Sequence, residues 1–226
     1  MKCLSCGNSV INDFDLKVLF GFKEFIPDNI CQFCRQQLNW LDPDNGCIRC
    51  YKQINENICD DCLMWEKKYN IINCHKSLFE YNQFIHSYFK NYKRYGDILL
   101  AELFSKDLYQ WSRSNKFDLI TYIPASNGHL QARGFDPVWE MYRQAFDLTS
   151  MLTKVDADKP QAQKNRYERL QTPQTFYCHS NNLDISRNSS VLILDDVYTT
   201  GRTMTHARQA LEIVGFNNIC TFSLSR

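Results

Sequence analysis

The chain lacks any apolar run of roughly eighteen residues, which excludes a membrane-spanning helix. No signal-like apolar segment follows Met1-Lys2, because Cys3-Leu4-Ser5-Cys6 interrupts at once. The sequence therefore predicts no secretory leader, no membrane insertion and a cytoplasmic location. An excess of one charge is missing too. The 26 Lys and Arg face 25 Asp and Glu, a formal net charge of +1, so charge gives no argument for nucleic acid as the partner. The main domain has no internal repeat, and there is no low-complexity tract. At 226 residues the chain can bury one sizeable core beside a small satellite.

Against these absences one stretch stands out, Val191-Leu192-Ile193-Leu194-Asp195-Asp196-Val197-Tyr198-Thr199-Thr200-Gly201-Arg202-Thr203-Met204. Four apolar residues in a row predict a strand buried on both faces, in the middle of a parallel sheet. Two carboxylates end it. Met204, Ala207, Ala210, Leu211 and Val214 then recur at helical spacing until Gly215 supplies a stop. In such strand-loop-helix units ligands bind beyond the carboxyl ends of the strands, where a helix N-terminus offers free N–H groups. A phosphate fits that cradle: Gly201 lets the backbone come close, Thr199, Thr200 and Thr203 donate hydroxyl hydrogen bonds, and Arg202 adds charge. Asp195 and Asp196, acceptors only when ionised, suit two sugar hydroxyls or a hydrated magnesium ion. The plainer alternative is a strand end whose acids cap the next helix.

Cysteine is abundant and unevenly spread. Eight of the eleven fall as four Cys-x-x-Cys pairs: Cys3/Cys6, Cys31/Cys34, Cys47/Cys50 and Cys59/Cys62. Two intervening residues let both thiolates bind one ion, and two such knuckles complete a tetrahedral structural zinc site. Redox Cys-x-x-Cys motifs normally occur singly, and disulfides are disfavoured in a reducing compartment. Two zinc ions are expected. Sequential pairing gives one site from the first two knuckles and one from the last two; interleaved pairing stays open. Residues 1–70 are thus expected to form a double zinc ribbon, with Phe20, Phe22, Phe25, Ile26, Trp40 and Leu41 packed around the sites, and residues 71–226 a separate α/β domain. Such a division predicts that Cys47→Ser disorders the ribbon and spares the pocket.

Further along, Leu78 to Tyr81 predicts a short strand, and Phe84, Ile85, Tyr88, Phe89 and Tyr92 a helix. Cys74 and His75 are expected to be ordinary structural residues, since eight cysteines already fill two metal sites. Ile98 to Trp111 predicts another amphipathic helix, and Asp118 to Pro124 a strand whose loop, Ala125 to His129, meets the same sheet edge as the acids. Val138, Met141, Tyr142 and Phe146 mark a further helix. The polar span from Asp156 to Gln174, with Lys159, Lys164, Arg166 and Arg169, suits a lid over an anion or a solvated basic loop.

The 191–204 stretch resembles the 5-phosphoribosyl-1-pyrophosphate (PRPP) motif of type I phosphoribosyltransferases. That resemblance implies a Rossmann-like α/β fold, mainly a parallel sheet flanked by helices, in which Asp195 and Asp196 hold ribose hydroxyls, residues 199–203 hold the 5′-phosphate, and magnesium accompanies PRPP. It also makes Arg133, with Lys164, Arg166 and Arg169, the candidate pyrophosphate contacts. Purine-salvage members carry an aspartate where Thr199 stands, so a purine acceptor is disfavoured. Taken whole, the chain resembles the ComF family. The cysteine pairs, Tyr92-Lys93 with Gly96-Asp97, Arg133-Gly134-Phe135, Gln161 with Lys164 to Leu170, and Leu194 to Gly201 carry the likeness. Asp136 and Pro137 stand where the family commonly has Asn and Gln. The family resemblance implies a role in natural transformation, handling incoming single-stranded DNA together with the helicase-like ATPase ComFA. Two readings of the pocket follow: a phosphoribosyltransferase of unknown acceptor, and a PRPP-binding adaptor without turnover.

Overall fold

The computed structural model describes residues 1–12, 16–22, 25–155, 176–179 and 186–226. The basic span carrying Lys159, Lys164, Arg166 and Arg169 lies outside them. Two short helices, α1 (Leu16–Leu19) and α2 (Gln32–Arg35), and the longer α3 (Asp60–Tyr69) belong to the cysteine-rich part. After β1 (His75–Phe79) come α4 (Gln83–Phe89), a π-helical turn (Lys90–Arg94), a 3-10 turn (Ile98–Glu102) and α5 (Ser105–Ser114). Then follow β2 (Leu119–Tyr122), α6 (Asn127–Arg133), α7 (Pro137–Tyr142), β3 (Leu152–Lys154), β4 (Phe176–Cys178), β5 (Ser190–Val197), α8 (Arg202–Ile213) and β6 (Asn218–Ser225).

Four strands make one parallel sheet in the order β1-β6-β5-β2, and β3 pairs antiparallel with β4 in a separate ribbon. The α/β class expected from the sequence is the one observed. The apolar run at 191–194 lies in the interior strand β5, hydrogen-bonded on both sides, and the strand extends through both acids to Val197. Alternation along the strands builds two cores. Leu192, Leu194, Phe222 and Leu224 face α4, α5 and α7, whereas Val191, Ile193 and Ile219 face α8. Each fully buried Leu, Ile or Phe contributes about 2 kcal/mol, so the sheet is fixed from both sides.

The two cysteine groups divide between these cores. Cys3, Cys31 and Cys34 pack with the first, and Cys47, Cys50, Cys59 and Cys62 with the second, so the metal modules sit against opposite faces of one sheet. The first is docked by charge as well. Arg35 bonds Asp107 of α5 at 2.8 Å and Asp28 at 2.8 Å, while the Asn29 amide donates to the Glu102 carbonyl. Burial pushes the Asp107 carboxyl up, against the pull of Arg35.

Several local expectations change. The predicted strand at 78–81 starts earlier, at His75, because parallel pairing of His75 with Thr221 sets the register. That register also places Cys74 beside Cys220, with 4.8 Å between their Cα atoms, and the two form a disulfide, a structural bond that the sequence reading does not include. The helix expected over 98–111 is broken, since Leu103 and Phe104 both turn inward between the 3-10 turn and α5. The loop expected at 125–129 winds into α6, so His129 and Arg133 are helical, and Gly134 (φ +84°) ends it. Phe20, Phe22 and Trp40 do not pack around the metal groups: they are 70%, 82% and 52% exposed.

Candidate functional site

Each metal group is built from two tight knuckles. In the first, the Gly7 N–H donates to the Cys3 carbonyl at 2.9 Å, turning the chain so that Cys3 and Cys6 converge with Cys31 and Cys34. In the second, Cys47 and Cys50 meet Cys59 and Cys62, where Cys59 is the N-cap of α3 and Cys62 lies in its first turn. Within each group all sulphurs lie within 4.8 Å of one another, and Cys50 Sγ is 3.5 Å from Cys59 Sγ. A tetrahedral ZnS4 centre requires sulphur separations of about 3.8 Å. Sequential pairing is therefore the arrangement present.

The chemistry of the second group also fits a cation. Its four thiols crowd so closely that the hydrogen bond with Cys50 lowers the pKa of Cys59 and raises that of Cys62, and Cys50 is pushed up to about 11. A cation among the four sulphurs would offset the mutual repulsion of clustered thiolates. The surroundings supply donors to sulphur: the Cys59 N–H reaches Cys47 Sγ at 3.3 Å, the Asn73 amide reaches Cys62 Sγ at 3.6 Å, and Arg226 donates to Cys50 Sγ. These outer bonds orient the ligands and offset their charge.

At the carboxyl end of β5 the second site is assembled. Strand alternation sends Asp195 and Asp196 to opposite faces. Asp196 takes the ammonium of Lys93, delivered by the π-helical turn, while the Arg133 guanidinium donates to the Lys93 carbonyl at 2.9 Å. Asp195 is buried, its Oδ1 accepts the Asp196 N–H at 2.9 Å, and its carbonyl accepts the Tyr142 hydroxyl at 2.8 Å. Burial, then the Asp196 charge, raises the Asp195 carboxyl to about 7. A cation at the acids would reverse that shift.

The hydroxyl-rich turn follows directly. Gly201 adopts φ +77° as the N-cap of α8, and the Thr200 hydroxyl accepts from the first-turn N–H of Arg202 at 3.4 Å. A Cβ at Gly201 would collide with the Tyr198 hydroxyl and stand 3.2 Å from Trp65 Nε1, so no other residue fits. Thr200 is buried and Thr199 exposed, with Thr203 half-buried in the first turn of α8. The Tyr198 hydroxyl is buried with no hydrogen-bond partner among the described residues. Arg202 is turned toward the cysteine-rich part, where its guanidinium meets Tyr69 Oη at 2.6 Å and lies over the Trp65 and Tyr69 rings. Thus Asp195, Asp196, Arg133 and residues 199–203 share one edge. Lys93, Tyr142 and Trp65 complete it, and only Lys93 had a sequence signal, inside Tyr92-Lys93.

Asp136 and Pro137 fit their positions. Asp136 caps α7, accepting from the Val138 and Trp139 N–H groups, while its other oxygen accepts from Ala125 at 2.7 Å. All three roles are acceptor roles, which aspartate fills, and Pro137 occupies the first helical turn, where its missing N–H costs nothing.

Fold and site together define an α/β protein with a parallel sheet, two four-cysteine centres that fit structural zinc, and an acid pair beside a helix start whose N-cap is glycine. The chain is 30% identical over 232 residues, spanning all of both proteins, to the Competence protein ComFC of Streptococcus pneumoniae. It is 25% identical over 219 residues to the Competence protein ComFC of Bacillus subtilis, covering 92% of this chain and 88% of that one. No protein-family model matches the chain. The chain belongs to the ComFC family of competence proteins. Among the described residues no helix is long and apolar enough to cross a membrane.

Proposed function

We propose that this competence protein binds magnesium-PRPP at the edge formed by β5 and α8, and that it serves natural transformation by handling incoming single-stranded DNA beside the ATPase ComFA. The observation that carries the ligand reading is the adjacency of two carboxylates, Asp195 buried and Asp196 half-buried, and the start of a helix whose N-cap is a left-handed glycine. Asp195 and Asp196 would accept from the ribose hydroxyls and from magnesium-bound water, and magnesium supplies charge neutralisation of the pyrophosphate. The amides and hydroxyls of residues 199–203 would hold the 5′-phosphate. Arg133, one hydrogen bond from Lys93, is the described candidate for the pyrophosphate.

Retention of labelled PRPP by the wild-type chain and by Asp195→Ala/Asp196→Ala tests this reading. The expected result is loss of retention with zinc unchanged at two ions per chain; equal retention by both would overturn it. Pyrophosphate release in the presence of single-stranded DNA or nucleotides separates a transferase from a binding adaptor.

A further inference from the structure

Helix α3 carries metal ligands at one end and touches the candidate anion loop at the other. Cys59 and Cys62 sit at its N-terminus, and Trp65 and Tyr69 follow at helical spacing on the same body. Trp65 is fully buried, and its one polar side-chain atom, Nε1, donates to the Thr200 carbonyl at 2.8 Å across 135 residues of sequence. One turn further, Tyr69 Oη meets Arg202 at 2.6 Å. Both contacts grip the segment that starts α8.

The first contact fixes more than a position. In a trans peptide the carbonyl and the following N–H point in opposite directions. With the Thr200 carbonyl held toward Trp65, the Gly201 N–H is aimed away from it, to the side where an anion would lie. Tyr198 and Trp65 close the rear of Gly201, filling the space a Cβ would need, so the peptide cannot flip into it. The helix that aims the loop is itself held by two thiolates of a buried four-cysteine group. A short helix of ten residues is marginal alone in water, and here its N-cap and first turn carry two of the four clustered cysteines.

We infer that the second four-cysteine centre positions the anion-binding loop: metal bound by Cys47, Cys50, Cys59 and Cys62 fixes α3, and Trp65 and Tyr69 on α3 hold the Thr200-Gly201 peptide and Arg202 in the binding arrangement. Trp65 is thus a positioning residue, acting on ligand through the backbone of Thr200. The inference rests on the ligand reading above only for the identity of the anion. It departs from a strict two-module division, in which loss of a ribbon cysteine spares the pocket.

The test uses the full zinc-loaded chain and Trp65→Phe, which keeps an aromatic ring on α3 and removes the donor. Hydrogen exchange is followed at residues 199–205, with α8 at 207–213 and β5 at 190–194 as internal references, and zinc content and magnesium-PRPP affinity are measured alongside. The variant should keep two zinc ions and unchanged protection in the references. Exchange at 199–205 should be about fivefold faster and PRPP affinity about fivefold weaker, the effect of one lost hydrogen bond. Saturating magnesium-PRPP should restore loop protection, which a merely structural role for Trp65 would not produce. Stepwise zinc removal by a chelator should likewise speed exchange in the loop before the references.

Unchanged loop exchange in Trp65→Phe, with PRPP bound as tightly as by wild type, would overturn the coupling and leave the ligand reading standing. Failure of the wild-type chain to bind PRPP would overturn the ligand reading, while the exchange comparison would still decide the coupling. Should zinc removal unfold the whole chain, the Trp65→Phe comparison decides alone.

Discussion

Lys93 and Asp196, 103 residues apart in the chain, meet as an ion pair at the carboxyl edge of the sheet. The pair brings a cation next to two adjacent carboxylates, one of which is buried and carries a raised pKa. Any divalent ion at Asp196 must replace or share this ammonium. The site thus holds positive charge of its own.

Removing that cation has a spectroscopic consequence. Lys93 lowers the Asp195 pKa, though less than burial and Asp196 raise it. Lys93→Met should therefore move the Asp195 carboxyl titration, followed by carbon-13 NMR, to a pH above about 7. A titration midpoint that stays in place would show that the ammonium does not act on the pair.

The raised pKa also sets a sign for stability. Asp195 holds its proton up to about pH 7 when folded, against an ordinary value of 3.8. Between those two values the folded state binds the extra proton, so this group's contribution is fully present below the unfolded pKa and is lost as pH rises to about 7. Above that the chain carries a buried ionised carboxylate. Asp195→Asn keeps an oxygen to accept the Asp196 N–H and has no charge to bury. It should raise the melting temperature by several degrees more at pH 8 than at pH 5, measured by calorimetric scanning. An equal shift at both values would contradict the assignment.

How much of this was legible beforehand depends on the range of the interaction. The strand at 191–194, the helix after it and the Cys-x-x-Cys knuckles were written in local periodicity and spacing, and the structure has them. Which knuckles pair was left open by spacing alone and is settled by how the chain folds back between them. The break after Glu102 was hidden, because Leu103 and Phe104 obey the helical pattern and are pulled inward by the core. Trp65 carried no signal either. Its spacing from Cys62 places it on the ribbon helix, but its partner Thr200 is set by how the second cysteine group docks on the sheet, which no local pattern encodes. The Cys74–Cys220 bond likewise depends on strand register across 146 residues.

The first metal module offers an independent check on docking. Arg35→Ala leaves Asp107 buried without its guanidinium, and breaking one side of such a pair costs about 3 kcal/mol. Urea unfolding should show a lower midpoint with an unchanged slope, and Arg35→Ala combined with Asp107→Asn should recover part of the loss. A change of under about 1 kcal/mol in the single variant would mean that the Arg35–Asp107 ion pair does not hold the module.

Calorimetric titration of PRPP into the zinc-loaded chain, with and without magnesium and at pH 6 and pH 8, tests the central claim most directly. The account predicts saturable binding that requires magnesium, tightens from pH 6 to pH 8 as Asp195 gives up its proton, and disappears in Asp195→Ala/Asp196→Ala. Absence of binding, or binding indifferent to magnesium and to both acids, would contradict it.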